Sequence, residues 1–389
     1  MKKRIAFVTN PMTVGGVERA LIALLNEIDY DKYEVVLWTK SVGGEFEKDV
    51  NPNVEIRCWN IENSREKLMK ALYQGKLVSF AKGIIYRICL RETANDWVLN
   101  EYYEAKAQEI CDETPYDAVI AYQGLYSGVV ATALYRLKAP VKIAWIHGEH
   151  SFSNKQLSHM GREYLKFDYV ICVSESIEKG FGRAFPGLSD KLSVIYNLLD
   201  REKILRQSEE TAEVSMKSPA ILTVGRISKP KGQIMVSKVM SLLREKGHDV
   251  YWYLVGDGEM RSEVEAEIER YDVADRVILL GTKINPYPYI KNCDIYVQPS
   301  FTEGYCTTTV EAKVLCKPIV TTDAPGMREQ FVSGENGLIV DAMTPEALAE
   351  GIRQLLDHPE MCEKFTNALK NESFDNAKEM QKLYDFIES

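Results

Sequence analysis

Ala220-Ile-Leu-Thr-Val-Gly225 is the stretch on which the reading of the fold turns. An apolar run of this length that stops at a glycine reads as a strand covered on both faces, as in a parallel sheet. The same pattern opens the chain as Lys3-Arg-Ile-Ala-Phe-Val-Thr9, followed by a Gly15-Gly16 loop. A grammar that begins at the N-terminus and restarts past the midpoint predicts two α/β domains. After the first strand, Val17 to Ile28 has helical periodicity, with Leu21, Leu24, Leu25 and Ile28 on one face. Further strands are predicted at Tyr33–Thr39, Val54–Cys58, Asp117–Tyr122, Val141–Ile146 and Asp168–Val173. The second series comprises Val250–Val255, Arg276–Leu280, Asp294–Gln298, Pro318–Thr322 and Gly337–Val340. Two Rossmann-like, doubly wound domains facing a central cleft are therefore expected, with ligands beyond the carboxyl ends of the strands.

The join is placed near Tyr196-Asn-Leu-Leu-Asp200, which gives a first domain of residues 1–198 and a second of 199–370. Residues 371–389 are expected to form a helix that packs back on the first domain. The polar stretch from Gln207 to Pro219 reads as a linker or a short solvated helix. A chain of 389 residues, 45 % hydrophobic and 27 % charged, suits two soluble domains of this kind. Its net charge of -9 argues against a general nucleic-acid binder, which needs a surplus of Lys and Arg. No apolar run approaches the roughly 20 residues of a spanning helix, so a cytoplasmic protein is expected. The eight cysteines form no C-x-x-C pair and read as reduced thiols.

The chemistry concentrates at the strand ends of the second half. Glu303-Gly-Tyr-Cys-Thr-Thr-Thr-Val-Glu311 runs from a strand into a helix, framing a helix N-terminus with two carboxylates. Free N–H groups there make an anion site, and the carboxylates accept hydrogen bonds from sugar hydroxyls. The bland alternative is that Glu303 stabilises the helix dipole and Glu311 is a solvated helix residue. Val224-Gly-Arg226-Ile-Ser-Lys-Pro-Lys231-Gly232 places Arg226 and Lys231 after a neighbouring strand, where they suit a diphosphate. Leu254-Val-Gly256-Asp-Gly258 is a third strand end with glycines that admit close backbone approach.

Together Gly15-Gly16, Arg226 with Lys231, and the Glu303…Glu311 pair resemble glycosyltransferase family 4, retaining enzymes of the GT-B fold. Val194-Ile-Tyr-Asn197 and the run from Glu311 to Gly326 also look like this family. The order of motifs looks most like bacterial enzymes that build capsular or exopolysaccharide repeat units. The resemblance implies that Arg226 and Lys231 bind the donor diphosphate and Glu311 the ribose. It implies that Glu303 holds a sugar hydroxyl, with the backbone of Gly304, Tyr305 and Cys306 nearby and Gly256 also lining the donor. Gly15 and Gly16 would close over the phosphates, and His147, at the end of Val141–Ile146, would lie beside the donor sugar. His150 competes with His147, and two histidines without a third ligand do not make a metal site. No metal or other cofactor is expected, since the sequence is read as having no D-x-D segment. A UDP-sugar is the expected donor, with GDP as the alternative.

Residues 65–91 carry seven basic residues and one acidic one, +6, against -15 for the rest of the chain. Interleaved with Leu, Phe, Ile and Tyr, they read either as a face for an anionic membrane beside a polyprenyl-linked acceptor or as a solvated helix. Tyr122 and Gln123 end another strand and are candidates for the acceptor side. Two competing functions keep the fold: a nucleotide-sugar 2-epimerase, and a non-catalytic partner of another glycosyltransferase.

Overall fold

A computed structural model of the protein describes residues 1–59, 102, 105–106, 112–123, 127–148 and 160–389. Residues 65–91, which read either as a membrane face or as a solvated helix, lie outside them, as does His150. The chain divides into two compact units. The first comprises Met1–Val173, Ile177–Leu198 and Asn376–Ser389; the second comprises Ser174–Ser176 and Leu199–Asp375.

Among the described residues, the first unit holds a seven-stranded sheet. Its strands are β1 (Lys3–Thr9), β2 (Tyr33–Thr39), β3 (Val54–Cys58), β4 (Ala118–Ala121), β5 (Val141–Ile146), β6 (Tyr169–Cys172) and β7 (Leu192–Val194). Every pairing is parallel and the order is β3-β2-β1-β4-β5-β6-β7. β7 escapes sequence reading because it is three residues long with no buried position. The second unit repeats the plan with β8 (Ala220–Val224), β9 (Tyr251–Val255), β10 (Val277–Gly281), β11 (Ile295–Gln298), β12 (Ile319–Thr322) and β13 (Leu338–Val340). Its order is β10-β9-β8-β11-β12-β13, again parallel throughout.

The pleat sorts each strand of the second sheet between two cores. Ile221, Trp252, Leu254, Ile295, Val297 and Val320 point to one face, against Val236, Val239, Leu243, Leu348 and Ile352. Leu222, Val224, Tyr253, Val255, Tyr296 and Ile319 point to the other, against Ile290, Ala312 and Val314. Burial on both faces explains why these strands read as continuous apolar runs. Two polar groups inside are linked in series: Trp252 Nε1 donates to Thr223 Oγ1 at 3.0 Å, and Thr223 Oγ1 to Val297 O at 2.7 Å.

The polar stretch after the join is fastened down. Following the helix Arg201–Ser208, Lys291 pairs with Glu209 at 2.5 Å, Lys283 pairs with Glu213, and Asn285 Nδ2 donates to Glu210 Oε2 at 2.9 Å. The last helix, Asn376–Glu388, belongs to the first unit. Tyr384 stacks on Tyr33 with centroids 5.1 Å apart, and its hydroxyl accepts from Asp29 N at 3.0 Å. Glu379 accepts from Tyr196 N at 2.9 Å, while Met380, Leu383 and Ile387 are buried.

Among the described residues no helix is long and apolar enough to cross a membrane, and Cys58, Cys172, Cys293, Cys306, Cys316 and Cys362 are free thiols. Leu383→Ala is expected to cost the first unit about 3 kcal/mol through the cavity it leaves. Native-state hydrogen exchange should show the loss in the amides of β1 and β2.

Candidate functional site

In each sheet the strand order reverses at one point, between β1 and β4 in the first and between β8 and β11 in the second. At such a point successive connections leave on opposite faces, and their loops part to leave room for a ligand. Arg226 and Lys231 follow β8, and Glu303 follows β11, so both flank the reversal of the second sheet. Two glycines let these loops meet. Gly232 has φ 70°, and a Cβ there would lie 1.9 Å from Pro299 O. Gly256 has φ 142°, and its Cβ would lie 2.0 Å from Gly225 O. No side chain fits at either position.

Lys231 Nζ stands 2.8 and 2.6 Å from the two oxygens of Glu303. Glu303 is buried, and its Oε1 also accepts from Ser300 Oγ at 2.6 Å and Gln298 Nε2 at 3.4 Å. Burial opposes the charge on Lys231, but the Glu303 carboxylate outweighs it and holds the ammonium above its ordinary pKa. Arg226 is near enough to act against that charge, and its own side chain is exposed, with its stem beside Gly258. Sequence reading placed Lys231 and Glu303 on separate ligand groups; in the structure they are also partners of each other.

The site helix, Thr307–Val314, begins at Cys306 with no side chain capping it. Its leading N–H groups therefore take no hydrogen bond from a capping side chain. The Cys306 thiol is pushed up to about 11 by burial and by the Glu303 charge, which keeps it protonated at neutral pH. Thr309 Oγ1, 2.7 Å from Cys306 O and 2.6 Å from Gln330 Oε1, anchors this turn. The buried ammonium of Lys313 donates to Gln330 O at 2.8 Å and pairs with Glu372, fixing the far end. Glu311 is 2 % exposed, which rules out the solvated helix residue of the bland alternative. Its Oε1 accepts from the Tyr287 hydroxyl at 3.2 Å. Gly304 and Tyr305 are half-buried. Tyr287, Gln298 and Ser300 join the site without having been singled out, because nothing in their spacing relates them to Glu303 or Glu311.

In the first unit, Gly15 is the N-cap of the helix Gly16–Glu27 in ordinary extended backbone, and Gly16 is exposed. Glu18 folds back over this turn, its Oε2 2.2 Å from where a Gly15 Cβ would stand. The signal was legible, since a Glu three residues after the cap is the capping-box position. Gln123 Nε2 donates to Glu18 Oε1 at 2.7 Å, and Gln123 Oε1 accepts from Asn10 N at 3.0 Å. Its amide is thus engaged in tying the ends of β1 and β4 together. Tyr122 is buried and packs on Trp145 at 5.0 Å and His147 at 4.7 Å. The ring nitrogens of His147 are buried, and burial pushes its pKa down to about 3 against a smaller opposing pull from the Tyr122 backbone. It is a neutral imidazole at physiological pH. One D-x-D triplet does occur, Asp29-Tyr30-Asp31, in the turn before β2, where Asp29 pairs with Lys32 at 3.2 Å.

Residues 14–203 match the family model described as Glycosyltransferase Family 4, and residues 206–372 that described as Glycosyl transferases group 1. The chain belongs to glycosyltransferase family 4. This family 4 chain is 27 % identical over 221 residues to the N-acetylgalactosamine-N,N'-diacetylbacillosaminyl-diphospho-undecaprenol 4-alpha-N-acetylgalactosaminyltransferase of Campylobacter jejuni, covering 57 % of this chain and 58 % of that one. It is 28 % identical over 197 residues to the capsular polysaccharide biosynthesis glycosyltransferase CapM of Staphylococcus aureus, covering 48 % and 52 %. The chain thus spans little more than half the length of these two curated relatives. Anabaena HepE, solved in complex with UDP and glucose, superposes with a TM-score of 0.72 at 18 % identity, over 99 % of each chain. The shared fold is GT-B, two Rossmann-like domains.

Lys231→Met is expected to destabilise the second unit of this family 4 protein by about 3 kcal/mol, because it strands a buried carboxylate. Urea denaturation should show the loss, and Lys231→Met/Glu303→Leu should recover most of it. The His147 ring signals should not titrate between pH 8 and 5 in an NMR series. Its contribution to stability is then greatest above about pH 6.5, the value for a free imidazole. It declines as pH falls, because the unfolded ring takes a proton that the folded one does not, and levels off below about 3.

Proposed function

We propose that the protein is a retaining glycosyltransferase that moves a hexose or N-acetylhexosamine from a nucleotide-sugar to a glycan or lipid-linked glycan in polysaccharide biosynthesis. The observation that carries this reading is the convergence of Arg226, the Lys231–Glu303 pair and the uncapped site helix at the reversal of the second sheet. Fixed cations and helix N–H groups there suit a diphosphate. Breaking the anomeric C–O bond places negative charge on that diphosphate, and preorganised donors stabilise the charge as it grows. This accounts for departure of the leaving group without a metal. Glu303 accepts a sugar hydroxyl, and Glu311 accepts from the ribose. His147 acts on the donor sugar as a neutral imidazole, and Gly15 and Gly16 bind the phosphates.

Retention without a carboxylate nucleophile corresponds to attack on the front face, where the leaving phosphate oxygen takes the acceptor proton. UDP is the preferred nucleotide, supported by its presence in the HepE complex. A polyprenyl-linked acceptor is supported by the name of the Campylobacter relative, and a role in capsule assembly by that of CapM. Residues 65–91 would then hold the enzyme at an anionic membrane on its cytoplasmic face.

A thermal-shift screen against UDP, GDP and ADP, each with and without EDTA, tests the donor site. The expected result is a shift with UDP that EDTA leaves unchanged and that Arg226→Ala or Glu311→Ala abolishes. A shift lost on chelation would overturn the metal-free mechanism, and no shift with any nucleotide would favour a non-catalytic partner.

A further inference from the structure

A carboxylate sealed inside a protein needs hydrogen-bond donors fixed around it, and the direction of those donors sets the direction of its remaining lone pairs. Glu311 is such a group. The hydroxyl of Tyr287 donates to its Oε1 at 3.2 Å from the first position of the helix Tyr287–Asn292. Tyr287 is itself 6 % exposed, so its ring is held by packing as well as by this contact.

The helix that presents Tyr287 is six residues long and starts after Pro286, so its orientation depends on what secures its first turn. Asn285 does this. Its Oδ1 accepts from Tyr287 N at 3.1 Å, and its Nδ2 donates to Gln207 O and Glu210 Oε2, both at 2.9 Å. A continuous path of hydrogen bonds therefore runs from the end of the helix Arg201–Ser208, through Asn285 and Tyr287, to Glu311. Every link lies within the second unit.

We propose that Tyr287 is a positioning residue for Glu311, and that Asn285 holds Tyr287 in place for that purpose. By occupying Oε1, the tyrosine sets the orientation in which Glu311 meets the ribose hydroxyls, before the nucleotide arrives. Such preorganisation removes an ordering cost from binding. The inference rests on the reading above that Glu311 takes the ribose.

A double-mutant cycle on nucleotide affinity tests it. The Kd of UDP is read by ligand-detected NMR for the full-length wild type, Y287F, E311A and the combined variant; if GDP or ADP gave the thermal shift, that nucleotide replaces UDP. Y287F keeps the ring and its packing. The expected result is a loss of about tenfold for Y287F alone, the size of a hydrogen bond to a charged group, and less than about twofold in the E311A background. An equal loss in both backgrounds would mean that Tyr287 acts through packing and would overturn the proposal. So would a Y287F affinity within about twofold of wild type while E311A binds weakly. If E311A binds as tightly as wild type, the ribose assignment itself fails and takes the proposal with it.

Discussion

Two adjacent parallel strands cannot be joined by a tight turn; the chain must travel back the length of the sheet before the next strand begins. That constraint shapes both units. In each, the chain lays down three strands outward in one direction, then returns to the other side of the first strand and continues the opposite way. All strand ends of one polarity collect along one edge, and the reversal parts two of the loops there. The positions of Arg226, Lys231, Glu303 and Glu311 are consequences of this winding, as are those of Gly15, Gln123 and His147 in the first unit.

What the winding brings together has then to be made stable. Glu303 and Lys231 are costly to bury alone, and each is the other's remedy, with Ser300 and Gln298 completing the acceptor sites on the carboxylate. The site helix is treated differently: its N-terminus is left without a side-chain cap while its body is secured by Thr309, Gln330, Lys313 and Glu372. The first turn is anchored through Thr309 and the Cys306 carbonyl and the far end through Lys313, and neither anchor caps the leading N–H groups with a side chain. His147 packs against Tyr122 and Trp145, and burial keeps its imidazole neutral.

The strand series was legible because strands covered on both faces must be apolar at nearly every position, and a run such as Ile319–Thr322 leaves little else to read. The loop motifs were legible because glycines at Gly232 and Gly256 answer to backbone approaches that no other residue permits. β7 was not legible, being short and half-exposed. The stretch from Gln207 to Glu213 looked like a linker because its residues are polar; Lys283, Asn285 and Lys291 secure it from some 70 to 80 positions away.

The sequence by itself determined the two parallel α/β halves, the strand ends at which chemistry could gather, and the charged residues available there, because periodicity and local backbone demands are properties of neighbouring residues. Only the tertiary structure decided which of those residues are partners. That Lys231 neutralises Glu303, that Glu18 holds Gln123, and that Tyr287 orients Glu311 are contacts between segments 24 to 105 residues apart. Such pairs carry no spacing rule. They exist because separate loops are delivered to the same edge of a sheet, where each buried polar group must find whatever donor or acceptor the fold has placed beside it.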